Sequence, residues 1–156
     1  MKIIISPYSK PMRNGKENAK NYPHWNEVIK MLLDANHEVT QLQFSGEKTI
    51  DVCRELVHYS TLSIVEMLID EYDAYVSVDN FLQHIAHYRK KYGVVIWGKS
   101  DPELFGYSEN VNLLKDRKFL RIHQFETWEA EPFDPLVFVS PQIVVEAVEK
   151  IAVSKK

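Results

Sequence analysis

The chain has 156 residues and a mass of 18.3 kDa, the size of one ordinary domain, able to bury roughly 68–70% of the surface its unfolded form exposes. Hydrophobic, charged and aromatic fractions of 45%, 26% and 12%, with only 5 Gly and 7 Pro, exclude disordered, collagen-like and mucin-like chains. The net charge of −3 argues against a nucleic-acid partner.

Lys2 to Ser6 is a short β-branched apolar run ended by Pro7, which predicts a buried strand and is too short for a signal-peptide core. Tyr8 to Tyr22 holds Pro11, Asn14, Gly15, Asn18 and Asn21, an unusually long turn-forming stretch of the functional-loop kind. Pro23 opens a helix carrying Trp25, Val28, Ile29, Leu32 and Leu33, with Asn36 as its stop. His37 to Leu42 alternates as a second strand, the Ser45 to Lys48 stretch turns, and a weak third strand falls within Asp51 to His58.

Thr61 is the expected N-cap of a helix through Ile64, Val65, Leu68 and Ile69, and Ala74 to Val78 is a fourth strand ended by Asp79. Phe81, Leu82, Ile85, Ala86 and Tyr88 form the next amphipathic helix, which Gly93 is expected to break before the strand Val94 to Trp97. A loop opens at Gly98, Val111 to Leu114 is a sixth strand, and residues 115–138 are irregular. Ser140-Pro141 then caps a closing helix over 140–153. No apolar run nears the ~20 residues that span a bilayer, and the lone Cys53 permits no internal disulfide and no cysteine zinc site. A cytoplasmic chain without a membrane span is expected, with Cys53 as a buried apolar residue and Trp25 and Trp97 in the core.

Strands alternating with helices, each strand a continuous apolar run, predict a parallel sheet covered on both faces. We therefore expect a Rossmann-like α/β/α three-layer sandwich forming a single domain over 1–156. In such folds ligands bind beyond the carboxyl ends of the strands, so the loops after Ser6, Val78 and Trp97 should share one edge. The first twenty residues carry Lys2, Lys10, Arg13, Lys16 and Lys20 against Glu17 alone, a basic cluster suited to a small anionic ligand. No G-x-G-x-x-G, Walker or G-x-S-x-G motif occurs.

The stretch Tyr75-Val-Ser-Val-Asp79-Asn-Phe-Leu-Gln-His84-Ile-Ala86, then the strand to Trp97 and Gly98-Lys-Ser100-Asp101-Pro102, resembles the donor-binding half of the heptosyltransferases. These are the family 9 glycosyltransferases of GT-B fold. Their pattern is strand, Asp-Thr/Ser/Asn-Gly-x-x-His-x-Ala, helix, strand, Gly-x-Thr-Asp-Pro, and the spacing matches without a gap from Asp79 to Asp101. Lys20-Asn21-Tyr22-Pro23 is similar to the family's Lys-x-Trp-Pro segment in the same half.

The resemblance implies a metal-free, cofactor-free donor site for a nucleotide sugar, by analogy an ADP-sugar. Asp79 and Lys20 would be its catalytic pair: Lys20 neutralising the departing diphosphate, Asp79 holding sugar hydroxyls. Asn80 and Phe81 would offer backbone N–H groups, His84 would orient the loop, and Gly98, Ser100, Asp101 and Glu47 would complete the donor-binding set, Glu47 near the ribose. A helix N-terminus facing a diphosphate gives this physical sense.

Plainer roles stand beside these: Asp79 as a helix N-cap, Lys20 as a solvated loop lysine, His84 and His87 as packing residues or a metal pair. Two departures matter. Phe81 replaces the glycine that lets backbone approach phosphate, and the chain begins at Met1 on the strand that opens the donor half. The second departure implies that a partner chain or homodimer supplies the acceptor site, with Glu126, Glu129, Glu131 and Asp134 as local candidates for a general base. The expected function is a glycosyltransferase-like domain; the alternatives are a non-catalytic nucleotide or nucleotide-sugar binder and a nucleotide-sugar hydrolase.

Overall fold

The computed structural model describes residues 1–154, so residues 155–156 of the expected single domain lie outside the described residues. In chain order the elements are β1 (Lys2–Ser6), α1 (Trp25–Asp34), β2 (Glu38–Phe44), β3 (Glu55–Tyr59), α2 (Leu62–Leu68), β4 (Ala74–Val78), α3 (Phe81–Tyr88), β5 (Gly93–Trp97), α4 (Pro102–Phe105), β6 (Val111–Leu114) and α5 (Pro141–Ser154). One six-stranded sheet, parallel throughout, runs in the order β3-β2-β1-β4-β5-β6. That is the doubly wound Rossmann order, and its switch point lies between β1 and β4.

Parallel central strands have both faces covered, which is why β1, β4 and β5 read as near-continuous apolar runs rather than alternating ones, with the buried Ser77 the one polar residue inside β4. The two-residue period of a strand then divides them between two cores. Ile3, Ile5, Val76, Val78, Val94 and Ile96 pack with Trp25, Val28 and Leu32 of α1 and with Val144 and Val148 of α5. Ile4, Tyr75, Val95 and Trp97 pack with Val65 of α2 and with Leu82, Ile85 and Ala86 of α3. Trp25, Trp97 and Cys53 are buried as expected.

Pro23 does not open α1 but precedes its N-cap His24; the other helix ends follow their sequence signals with three exceptions. Asn36 ends α1 as read, in the left-handed region at φ 62°, and the His37 N–H closes the turn onto the Leu32 carbonyl at 3.0 Å. Thr61 occupies the N-cap of α2 but makes no side-chain capping bond. Asp79 is not the cap of α3. Asn80 takes that place, its Oδ1 accepting from the Leu82 N–H at 3.0 Å while its Nδ2 donates to the Ser6 and Tyr8 carbonyls at 3.1 and 2.9 Å. One amide therefore caps the helix and ties it to the loop after β1.

Gly93 is the third exception, because it does not stop α3. The helix ends at Tyr88, with Lys90 left-handed at φ 55° and the Lys91 N–H on the Ala86 carbonyl at 2.8 Å. Gly93 begins β5, paired with Tyr75, and a Cβ there would lie 2.4 Å from both Tyr75 Cδ1 and the Tyr75 carbonyl oxygen. Close approach of neighbouring strands beside a large buried ring is what requires glycine at this point. Residues 115–138 are irregular as expected, with two short 3₁₀ turns at Arg117–Phe119 and Pro135–Val137. No helix among the described residues is long and apolar enough to cross a membrane.

Candidate functional site

The connections from β1 and β4 leave the sheet in opposite directions, and a cleft of about 850 Å³ opens between them at the carboxyl edge. Its walls come from the loops after β1, β2, β3 and β4, joined from across the edge by Thr127, Trp128 and Glu129 of the irregular segment. The loops after Ser6 and Val78 share it; the loop after Trp97 does not line it.

The long loop after β1 is held by its asparagines, which makes sense of their number. Asn18 Nδ2 donates to the Lys10 carbonyl at 2.9 Å and Asn18 Oδ1 accepts from the Lys20 N–H at 2.9 Å, while Asn21 Oδ1 accepts from the Ser9 N–H at 2.8 Å. The Ser9 hydroxyl donates to the Asp79 carbonyl at 2.7 Å, locking the loop onto the end of β4. These bonds bring the two sequence motifs together. The Lys20 ammonium stands 2.7 Å from Asp79 Oδ2, while Asp79 Oδ1 accepts from the buried Gln83 Nε2 at 3.0 Å.

The Asp79 side chain is 8% exposed and the lysine side chain 21%, so the pair sits at the floor of the cleft with its cation toward the opening. Above it lies the Trp128 ring, 4.7 Å from the ammonium. Opposite this charged end, Phe44, Tyr59 and Phe81 form a row of tilted rings with centroids 5.3 and 5.4 Å apart. Phe81 packs on Tyr59 while the first turn of α3 begins beside Asp79. The site is thus an ion pair at a helix N-terminus facing an aromatic wall, suited to an anionic ligand with an apolar ring or face.

Burial also sets protonation here. The Tyr8 and Tyr59 phenols are both pushed up to about 12, chiefly by desolvation and further by nearby carboxylates including Glu47, so both remain donors at neutral pH. Burial pushes the Glu47 carboxyl above its ordinary value, opposed only in part by the Phe44 N–H donating to Oε2 at 2.9 Å. Since the folded state then holds its proton to higher pH than the unfolded chain, ionised Glu47 costs stability at neutral pH and costs none once the pH is below its unfolded value. Glu47→Gln is therefore expected to be more stable than the parent in urea at neutral pH, with the gap closing toward about pH 4. A variant equally destabilised at both pH values would refute that account.

Of the residues expected to form the site, Lys20, Asp79, Asn80, Phe81 and Glu47 line this cleft together. The others lie elsewhere. His84 is on the exposed face of α3, its Nδ1 2.9 Å from the Tyr107 hydroxyl, and His87 pairs with Glu109; no group of three or more His, Cys, Asp or Glu among the described residues could hold a metal ion. Gly98 is packed under Phe138, where a Cβ would meet the ring at 2.7 Å, and Ser100 is buried. Asp101 caps α4 through the Glu103 N–H at 2.9 Å and holds the Arg117 guanidinium through both oxygens, at 3.2 and 2.7 Å.

Among the carboxylates considered as a base, Glu129 lines the cleft, 3.9 Å from Arg13. Glu131 is held by Lys99 at 2.7 Å, Asp134 caps the turn at Leu136, and Glu126 pairs with His123 on the surface. Sequence reasoning missed Trp128, Arg121 and the aromatic row. The row follows from β2 and β3 ending beside the start of α3, and Trp128 lies in the irregular segment, where no local pattern marks it.

No protein-family model matches the chain, and no curated sequence does. Solved structures do match in fold. The ADP-heptose lipopolysaccharide heptosyltransferase II of E. coli superposes with a TM-score of 0.68 at 17% identity, over 99% of this chain and 47% of that one. The E. coli heptosyltransferase WaaC with ADP gives 0.66 at 17% identity, over 95% and 43%. The dodecameric iron-containing glycosyltransferase TibC of enterotoxigenic E. coli gives 0.72 at 15% identity, over 99% and 45%. The chain thus spans less than half the length of these structures, and it has the Rossmann-like fold that they share with it over that span.

Proposed function

We propose that this chain is a glycosyltransferase-like domain that binds a nucleotide-activated sugar in the switch-point cleft, an ADP-sugar being the first candidate. The observation that carries the reading is the Lys20–Asp79 ion pair, 2.7 Å apart at the floor of the cleft beside the start of α3. The diphosphate lies at the N-terminal end of that helix, where the amides of Asn80 and Phe81 and the helix dipole favour negative charge. Lys20 neutralises the charge that grows on the diphosphate as the sugar departs, which is where a preorganised cation lowers the barrier. Asp79, held by Gln83, accepts hydroxyls of the sugar. Nucleotide-sugar transfer then needs an acceptor site and a base, which we assign to a second chain or a second copy, with Glu129 as the local carboxylate in place for proton abstraction.

The test is a thermal-shift screen of the purified chain against ADP, UDP, GDP, CMP and their sugar conjugates. Ligand at a hundred times its dissociation constant stabilises the fold by about 2.7 kcal/mol. A shift with one conjugate carries the reading; no shift with any of them sinks it, and turnover with or without an acceptor sorts transfer from plain binding and from hydrolysis. Asp79→Asn gives a sharper result. With Lys20 no longer neutralised, ADP should bind about threefold to tenfold tighter, while the sugar conjugate loses its advantage over ADP. Calorimetry showing weaker ADP binding would remove the anion from this end of the cleft.

A further inference from the structure

The Trp128 ring touches two cations from different parts of the chain. The Lys20 ammonium lies 4.7 Å from its centroid and the Arg121 guanidinium carbon 4.3 Å. Arg121 is fixed from several sides: its side chain is 8% exposed, its N–H donates to the Lys99 carbonyl at 3.0 Å, and its Nη2 donates to the Thr127 carbonyl at 3.1 Å. Its Nε is 3.8 Å from Glu131, which the Lys99 ammonium holds at 2.7 Å. Trp128 is therefore carried on a frame anchored to the chain just beyond β5.

Lys20 differs. Its ammonium ends a flexible four-carbon stem on a loop, and Asp79 fixes the distance to one oxygen without fixing a direction. The electron-rich face of an indole supplies a second restraint, and an ammonium within about 6 Å of the ring centre is attracted to it. Two surfaces meeting at the ammonium define a position where one does not.

We propose that Trp128 is a positioning residue for Lys20: its ring fixes where the ammonium stands in the cleft and so sets the affinity for an anionic ligand. This rests on the reading of Lys20 as the cation that meets the diphosphate. It also gives the segment 115–138 a role, as the frame that carries the ring to the site.

The test has two parts, one without any ligand. By NMR of the free protein, the Lys20 εCH2 resonances should be displaced upfield by the ring current, move to ordinary lysine positions in Trp128→Ala and Trp128→Leu, and stay partly displaced in Trp128→Phe. Ordinary positions in the parent protein overturn the proposal. In calorimetry with ADP, Trp128→Ala and Trp128→Leu should weaken binding about tenfold and Trp128→Phe about threefold at most. In a Lys20→Ala background, Trp128→Leu should change nothing further. An equal loss in both backgrounds overturns the proposal, because the ring would then act on the ligand or the fold directly. If the parent protein binds no ADP while the lysine resonances respond as described, the donor reading fails and the positioning of Lys20 stands.

Discussion

Lys20→Ala should weaken nucleoside diphosphate binding about tenfold to a hundredfold, the loss of a charge-assisted contact of ~1.5–3 kcal/mol. The same change removes the cation 2.7 Å from the carboxylate of a side chain that is 8% exposed, leaving Asp79 with Gln83 Nε2 as its remaining hydrogen-bond donor. Breaking a fully buried pair costs about 3–5 kcal/mol. Here the lysine faces the open cleft, so its removal lets water enter beside the carboxylate, and a loss of about 2 kcal/mol in urea denaturation is expected. The two effects separate in the double variant Lys20→Ala with Asp79→Asn. Neutralising the carboxylate restores most of the stability, whereas nucleotide affinity stays low because no cation has returned. Affinity unchanged in Lys20→Ala would dismiss the lysine as a ligand group, and stability unchanged would mean that the ion pair is solvated.

Gly93→Ala should be the most destabilising of the small substitutions, by about 3 kcal/mol or more. A single methyl at this position would stand 2.4 Å from Tyr75 Cδ1, from a ring that is fully buried, and from the Tyr75 carbonyl in the neighbouring strand. Neither neighbour can yield cheaply: the ring is packed among Ile4, Leu82 and Val95, and the carbonyl belongs to the β4 backbone. Tyr75→Leu added to Gly93→Ala should recover only part of the loss, since the backbone contact remains. A helix-stop glycine behaves otherwise, because alanine beyond the end of α3 in open space would cost far less. A chemical denaturation midpoint close to that of the parent protein would therefore favour the helix-stop role read from sequence over the packing role seen in the fold.

These two residues mark what each level of description decides. Periodicity and turn chemistry determined most elements of this protein, α4 excepted: the apolar runs at Lys2 to Ser6, Ala74 to Val78 and Val94 to Trp97 read as strands buried on both faces, and Asn36 ends its helix as read. The all-parallel sheet follows, and with it a ligand site at the carboxyl edge. Lys20 and Asp79 were legible as site candidates because each stands in a short segment that resembles a family pattern, in a loop after a strand, and strand order brings those loops together.

Tertiary structure alone decided the rest, wherever a residue's role depends on what lies across space from it. Gly93 reads locally as punctuation between a helix and a strand, and only the facing Tyr75 ring makes it a packing requirement. Asn80 rather than Asp79 caps α3 because Ser6 and Tyr8 present carbonyls to its amide. His84, Gly98, Ser100 and Asp101 follow the Asp79 motif in register but turn away from the cleft, since a helix rotates its side chains by 100° per residue and the chain past β5 folds toward Phe138 and Arg117. Trp128 carries no local signal at all. It meets Lys20 directly, on a segment that Arg121 and Glu131 tie back to Lys99, and Lys20 and Lys99 both lie far from it in sequence. Periodicity reports which face of an element is buried; it carries no information about which distant side chain that face will meet.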